Sequence, residues 1–214
     1  MPGPQTILDQ LTLASNRAAD LAIAWHVALA LAIAALVLGW RPSRRAAGVA
    51  LSGPIASAST VAFAVGNWFN GLVLGALAVS LILLALRLGR ERAERGPLGA
   101  TAIGTVMITF AAFYPHFLVG RTPVAYLYAA PTGLIPCPTL SLAIGFALLG
   151  GGLGAPSWSI VLAAVGLFYG LFGVARLGVP LDILLVVGAA TLLTLSVMAR
   201  GARAVQACGL ARHG

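Results

Sequence analysis

The chain has 214 residues, of which 60% are hydrophobic and only 8% charged, and its mean hydropathy is +0.99. Soluble domains carry roughly 25% charged residues, so a soluble globular protein is excluded. The net charge of +8 comes from 13 basic residues, all of them arginine. These arginines sit at the ends of apolar stretches, which argues against a nucleic-acid surface. The absence of lysine removes a retinal Schiff base and any rhodopsin-like reading.

Residues 1–19 are mildly amphipathic, with Ile7, Leu8, Leu11 and Leu13 beside Asp9, Gln10 and Arg17. They are expected to form an interfacial helix lying on a membrane. They carry no basic leader segment or cleavage site of the secretory kind. Stretches of about 20 apolar residues mark spanning helices, because only a helix satisfies its own backbone in lipid. About seven such stretches follow, at 20–40, 46–65, 68–88, 98–118, 136–153, 158–176 and 180–200. The expected fold is therefore all-α, a polytopic transmembrane bundle over residues 20–200 with a short basic cytoplasmic tail at 201–214.

Asn16 or Asp20 is placed to cap the first span, and Trp40 to mark its interfacial end. The second span contains Pro54 and a run of small hydroxyl residues. The third holds Gly71 and Gly75, and the sixth Gly166 and Gly170. Such small residues four apart form helix-packing faces. They offer surfaces for self-association or for docking onto a larger membrane complex. The segment 119–135 between the fourth and fifth spans carries the apolar run VAYLYAAP. Left in water it would expose a sizeable patch, so it is expected to be ordered and folded back on the bundle.

Orientation follows from the arginines. With the N-terminus outside and the C-terminus inside, Arg41, Arg44, Arg45, Arg87, Arg90, Arg92, Arg95, Arg200, Arg203 and Arg212 are cytoplasmic, against Arg17, Arg121 and Arg176 outside. The positive-inside rule favours this orientation. It also places Cys137 and Cys208 on opposite sides of the membrane, where they cannot form a disulfide.

On this topology the polar side chains fall in the outer half. His26 lies about 9 Å below the outer edge at roughly 1.5 Å per residue. Asn67 and Asn70 occupy the turn into the third span, Tyr114 and His116 close the fourth, Cys137 opens the fifth and Asp182 opens the seventh. Ionisable groups inside a bundle are costly and usually functional, so these seven residues are the candidate ligand site. Each also has a plainer role. His116 suits an interface, Asp182 the dipole of a helix start, and Cys137 a tight apolar helix opening. Tyr126 and Tyr128 fit an aromatic belt. For a soft or borderline metal the donors would be His26, His116 and Cys137, with Asp182 a fourth ligand or an orienter. A proton or organic solute would use Asp182 and His116 instead.

The stretch FYPHFLVG…LYAAPTGLIPCPTLSLAIGFALL, with GVPLDILLVVGA later, resembles an uncharacterised group of bacterial multi-spanning membrane proteins known only as a domain of unknown function. The resemblance rests on Tyr114-Pro115, Pro131-Thr132-Gly133 and Pro136-Cys137-Pro138-Thr139. Here Gly120-Arg121-Thr122 stands where a histidine after the glycine would be expected. What the resemblance implies is a multi-pass protein of a bacterial inner membrane, with no chemistry attached.

Three functions are compatible with these residues. A small transporter or a small-molecule or ion-binding membrane protein fits the proline-broken helices and the outer polar groups. A non-catalytic accessory subunit needs only the glycine faces. An intramembrane enzyme is weakly supported: only His26 and His116 lie within spans, no helix carries two histidines, and a thiol oxidoreductase would need a second cysteine on the same side. No cofactor is required, although a metal or a haem is the kind of group these donors would hold.

Overall fold

The computed structural model describes residues 3–120 and 122–210, with side chains described as far as residue 202. Arg121, residues 211–214 and the side chains of Arg203 and Cys208 lie outside that description. The described residues form nine α-helices and no strands. They are α1 (Pro4–Arg17), α2 (Ala19–Val37), α3 (Arg44–Ala64), α4 (Trp68–Leu86), α5 (Leu98–Ala112), α6 (Tyr126–Ala129), α7 (Pro136–Leu149), α8 (Pro156–Leu177) and α9 (Ile183–Leu210).

Five helical stretches are long and apolar enough to cross a membrane: α2, α3, α4, α8, and Pro180–Ala202, which includes most of α9. This is the signature of an integral membrane protein in contact with a lipid bilayer. The stretches 98–118 and 136–153 give shorter helices than expected, of 15 and 14 residues. At about 1.5 Å per residue each is near 22 Å, below the roughly 30 Å hydrocarbon core. The reasons are local. The chain leaves α5 at Phe113, two residues before Pro115, which has no N–H to donate. It leaves α7 at Gly150, since residues 151–154 all take positive φ, Leu153 included. In the opposite direction, α9 continues beyond Arg200 to Leu210, so the expected tail begins as helix.

Helix α7 is the axis of the bundle. Twelve of its 14 residues are buried, against α3, α5, α8 and α9. A helix apolar on every side yet buried on every side is packed by protein and not by lipid. Gly104 of α5 and Gly145 of α7 face each other so closely that a Cβ on either would meet the other's carbonyl oxygen.

The glycine faces are used inside the molecule. Gly71 lies against the Phe63 ring and Gly75 against Ser59, closing α4 on α3, and the Ser59 hydroxyl donates to the Gly71 carbonyl at 2.7 Å. Gly166 packs on Ile144 and Ala189, and Gly170 on Val186. The expectation that these faces are free for self-association or a larger complex is corrected accordingly: close helix pairing within the chain consumes them.

The connecting segments gather at two ends. At one end, the Arg44 guanidinium donates to the carbonyls of Leu153, at 2.6 Å, and Gly154. Arg45 donates to Leu88 at 3.0 Å, the Ala93 amide to Pro42, and the Gly96 amide to Leu149. Arg200 reaches Ser157 at 3.0 Å. At the other end, Asn16 of α1 donates from its side chain to the Phe117 carbonyl at 2.8 Å and accepts the Val119 amide at 3.3 Å. There α1 buries Leu11, Ala14 and Ser15 against the bundle. The segment 122–135 folds back with Ala125, Ala129 and Ala130 buried, while Val124, Leu127 and Tyr128 point outward.

Candidate functional site

The end opposite the arginine cluster is built around the opening of α7. Pro136 and Pro138 occupy first-turn positions, where a missing N–H leaves little unsatisfied. The Thr139 hydroxyl accepts the Gly133 amide at 2.8 Å and donates to the Ile135 carbonyl at 2.6 Å. Gly133 has φ +79 and lies against the Trp25 indole, where a Cβ would collide with the ring. Trp25 Nε1 donates to Ser57, which donates to the Gly133 carbonyl at 2.8 Å. The Thr132 hydroxyl anchors on the Ala111 carbonyl. The Pro-Thr-Gly turn and the Pro-Cys-Pro-Thr helix opening therefore form one hydrogen-bonded unit joining α2, α3, α5 and α7.

This unit fixes Cys137 beside the 3-10 turn Pro180–Asp182 that leads into α9. The Cys137 thiol donates to Asp182 Oδ2 at 3.1 Å, and the Tyr114 hydroxyl donates to Oδ1 at 3.0 Å. Asp182 is 1% exposed and Tyr114 fully buried. Among the described residues Asp182 has no ion-pair partner; the one salt bridge, Arg44 with Glu91, is at the far end. The carboxylate lies against the bare Cα of Gly173, where a Cβ would overlap Oδ2. A second buried pair lies nearby, with Tyr169 donating to Asn70 Oδ1 at 3.0 Å.

Between these pairs is a cavity of about 30 Å³, lined by Asn70, Tyr114, Cys137, Tyr169 and Asp182 together with Phe117 and Phe172, with Ile7 and Leu11 of α1 also along its wall. A volume of roughly 10–15 Å³ accommodates one water, so the site holds two or three water-sized groups. The amide nitrogen of Asn70, a residue 6% exposed, meets no acceptor among the described residues.

Of the seven side chains singled out in the sequence, Asn70, Tyr114, Cys137 and Asp182 are brought to this cavity. Asn67 is not; it caps α4, accepting the Asn70 amide at 3.1 Å. His116 is exposed, with its ring edge-on to Tyr114 and Phe117. His26 sits on α2 with Nδ1 2.9 Å from the Ala22 carbonyl and Nε2 2.9 Å from the Ala112 carbonyl. It ties α2 to the end of α5. No group of three or more His, Cys, Asp or Glu among the described residues is placed to hold a metal ion. The metal set His26, His116 and Cys137 is corrected for that reason: similar depth did not bring the three side chains to one point.

Tyr169, Phe117 and Phe172 belong to the cavity and were not singled out in the sequence. Tyr169 had a signal there, since it falls on the stripe of Gly166, Gly170 and Gly173 that turns α8 toward α9. Tyr126, assigned to an aromatic belt, is half-buried with its hydroxyl near the Leu118 backbone.

No family model, no curated protein and no solved structure is significantly similar to the chain.

Proposed function

We propose that this integral membrane protein binds a small solute or ion at Asp182 and carries it across the membrane. One observation supports this above the others: a carboxylate buried in the bundle beside a cavity, given two hydrogen-bond donors and, among the described residues, no salt-bridge partner. A buried carboxylate is costly in a membrane and is kept where it does something. Two donors ease that cost and leave one oxygen lone pair on each side for a ligand.

In this reading the chain crosses the membrane seven times, with α5 and α7 completing their crossings through protein-packed turns. The arginine-rich end is cytoplasmic and the N-terminus outside, in keeping with the positive-inside rule. The accessory-subunit alternative loses its main motive once the glycine faces are occupied.

The test is a thermal-stability screen of the full-length, detergent-purified protein against small cations, anions and neutral solutes. At least one should raise the unfolding midpoint by several degrees in the wild type and not in Asp182→Asn. A screen in which no solute distinguishes the two proteins would sink the proposal.

A further inference from the structure

The walls of the cavity say what charge and size of ligand it takes. Four aromatic residues line it, Tyr114, Phe117, Tyr169 and Phe172, and Asp182 is the one carboxylate among them. Among the described residues, no arginine or histidine lines it. Phe117 lies parallel to Tyr114, with centroids 6.2 Å apart and planes at 12°. Aromatic faces are electron-rich and attract cations, most strongly where water is excluded. An anion would face Asp182 uncompensated. A neutral donor would bond to the carboxylate but leave its charge uncompensated.

The other end of the bundle is the basic one, with eight arginines, Arg41 to Arg95 and Arg200, beside Glu91 and Glu94. The side-chain oxygens of the cavity's lining residues are few: the Asp182 carboxylate, the Asn70 side-chain carbonyl and two tyrosine hydroxyls. An alkali ion needs a fuller shell of oxygens to replace its water. An N–H cation is satisfied by two or three acceptors and can rest its remaining face on aromatic rings.

We propose that the cavity binds a small ammonium cation, ammonium itself or methylammonium, with Asp182 as counter-ion and the four rings as walls. The proposal rests on the reading that Asp182 is the ligand site. Each Asp182 oxygen already accepts one hydrogen bond and keeps a lone pair for a ligand N–H. The volume of about 30 Å³ admits methylammonium at most and excludes a quaternary ammonium. Ile7 and Leu11 of α1 line the cavity, and Asn16 latches α1 to the backbone at Phe117 and Val119. Phe117 is held there at φ +75, a conformation that side chains other than glycine rarely adopt, so the latch also fixes one aromatic wall.

The experiment is equilibrium binding of radiolabelled methylammonium to the full-length protein in lipid nanodiscs. Binding should be saturable and displaced by ammonium, with potassium at least about tenfold weaker and tetramethylammonium and methanol without effect. Asp182→Asn should weaken it at least about tenfold. Phe172→Leu, which keeps the volume apolar, should weaken it about threefold to thirtyfold, the range of a desolvated cation–ring contact. Monodispersity and an unchanged rate of Cys137 labelling check that Phe172→Leu is folded. Absent binding, equal competition by potassium, or unchanged binding in Asp182→Asn each overturns the proposal. If methylammonium fails while another solute still stabilises the wild type through Asp182, the ammonium assignment alone falls. If no solute does so, the ligand site falls with it.

Discussion

The Cys137 thiol and the Asp182 carboxylate, 45 positions apart in the chain, are joined by a hydrogen bond of 3.1 Å at the point where α7 and α9 both begin. The pair fixes both helix starts and gives the buried carboxylate one of its two donors. Replacing the thiol by a hydroxyl keeps a donor, whereas Cys137→Ala leaves Asp182 with Tyr114 alone. Cys137→Ser should be near neutral and Cys137→Ala should cost about 0.5–2 kcal/mol, the range for such bonds in membrane bundles and to charged groups. Unfolding of the purified protein in mixed micelles measures both; equal losses would mean that the thiol acts by volume alone.

Gly173→Ala should damage the site without removing any polar group. Alanine favours a helix over glycine by about 1 kcal/mol, so an exposed position would gain stability. Here the new Cβ overlaps Asp182, and the prediction is a net loss together with lost ligand response. The double variant Gly173→Ala/Asp182→Ala should recover part of that stability, because the overlap disappears. Additive losses in this cycle would show that Gly173 serves α8–α9 packing and not the carboxylate.

Cys137 should be shielded while the latch at Asn16 holds. In a Cys208→Ser background, a membrane-impermeant maleimide should label Cys137 slowly in the native protein and completely in SDS. Asn16→Ala removes the two hydrogen bonds to residues 117 and 119 and should raise the native labelling rate several-fold. Unchanged labelling would show that α1 stays seated by its apolar face, and that Asn16 is no latch.

Reporter fusions test how the two ends face the membrane. Fusions after Arg45 and Arg92 should report the same, cytoplasmic side, and fusions after Asn67 and Gly178 the other. A fusion after Arg92 that reads periplasmic would reverse the proposed orientation and place the Asp182 end inside.

The sequence made helices and depth legible, and left direction around each helix axis largely hidden. Apolar run length marked α2, α3, α4, α8 and α9 because lipid imposes a length on them. The same criterion overextended the stretches at 98–118 and 136–153, where proline and a left-handed glycine turn end the helix inside protein. Depth put Asn70, Tyr114, Cys137 and Asp182 in one layer, and the fold brings them together. It put His26 and His116 in that layer too, but α2 runs along the edge of the bundle and Pro115 leaves His116 facing outward. The glycine spacings were legible as packing faces, yet only the fold shows that their partners are Phe63, Ser59, Val186 and Ala189 of the same chain. Tyr169 shows what the glycine stripe of α8 could have disclosed, since a large polar residue on a face otherwise kept small is there to reach something.

The burial of α7 on every side also bears on how the protein is assembled. A segment of 14 residues that touches almost no lipid gains little from partitioning into the bilayer by itself, and its stopping place is set by neighbours on both sides of it in the chain. Two of those neighbours, α8 and α9, are synthesised after it, so α7 must wait in a provisional position until the C-terminal third of the chain arrives. Chains truncated after residue 155 should therefore leave α7 exposed to translocation or degradation, while α3 and α4, already paired through Gly71 and Gly75, remain inserted. Glycosylation-site mapping of such truncations reads the difference directly, and a stably inserted α7 in the truncated chain would refute this order of events.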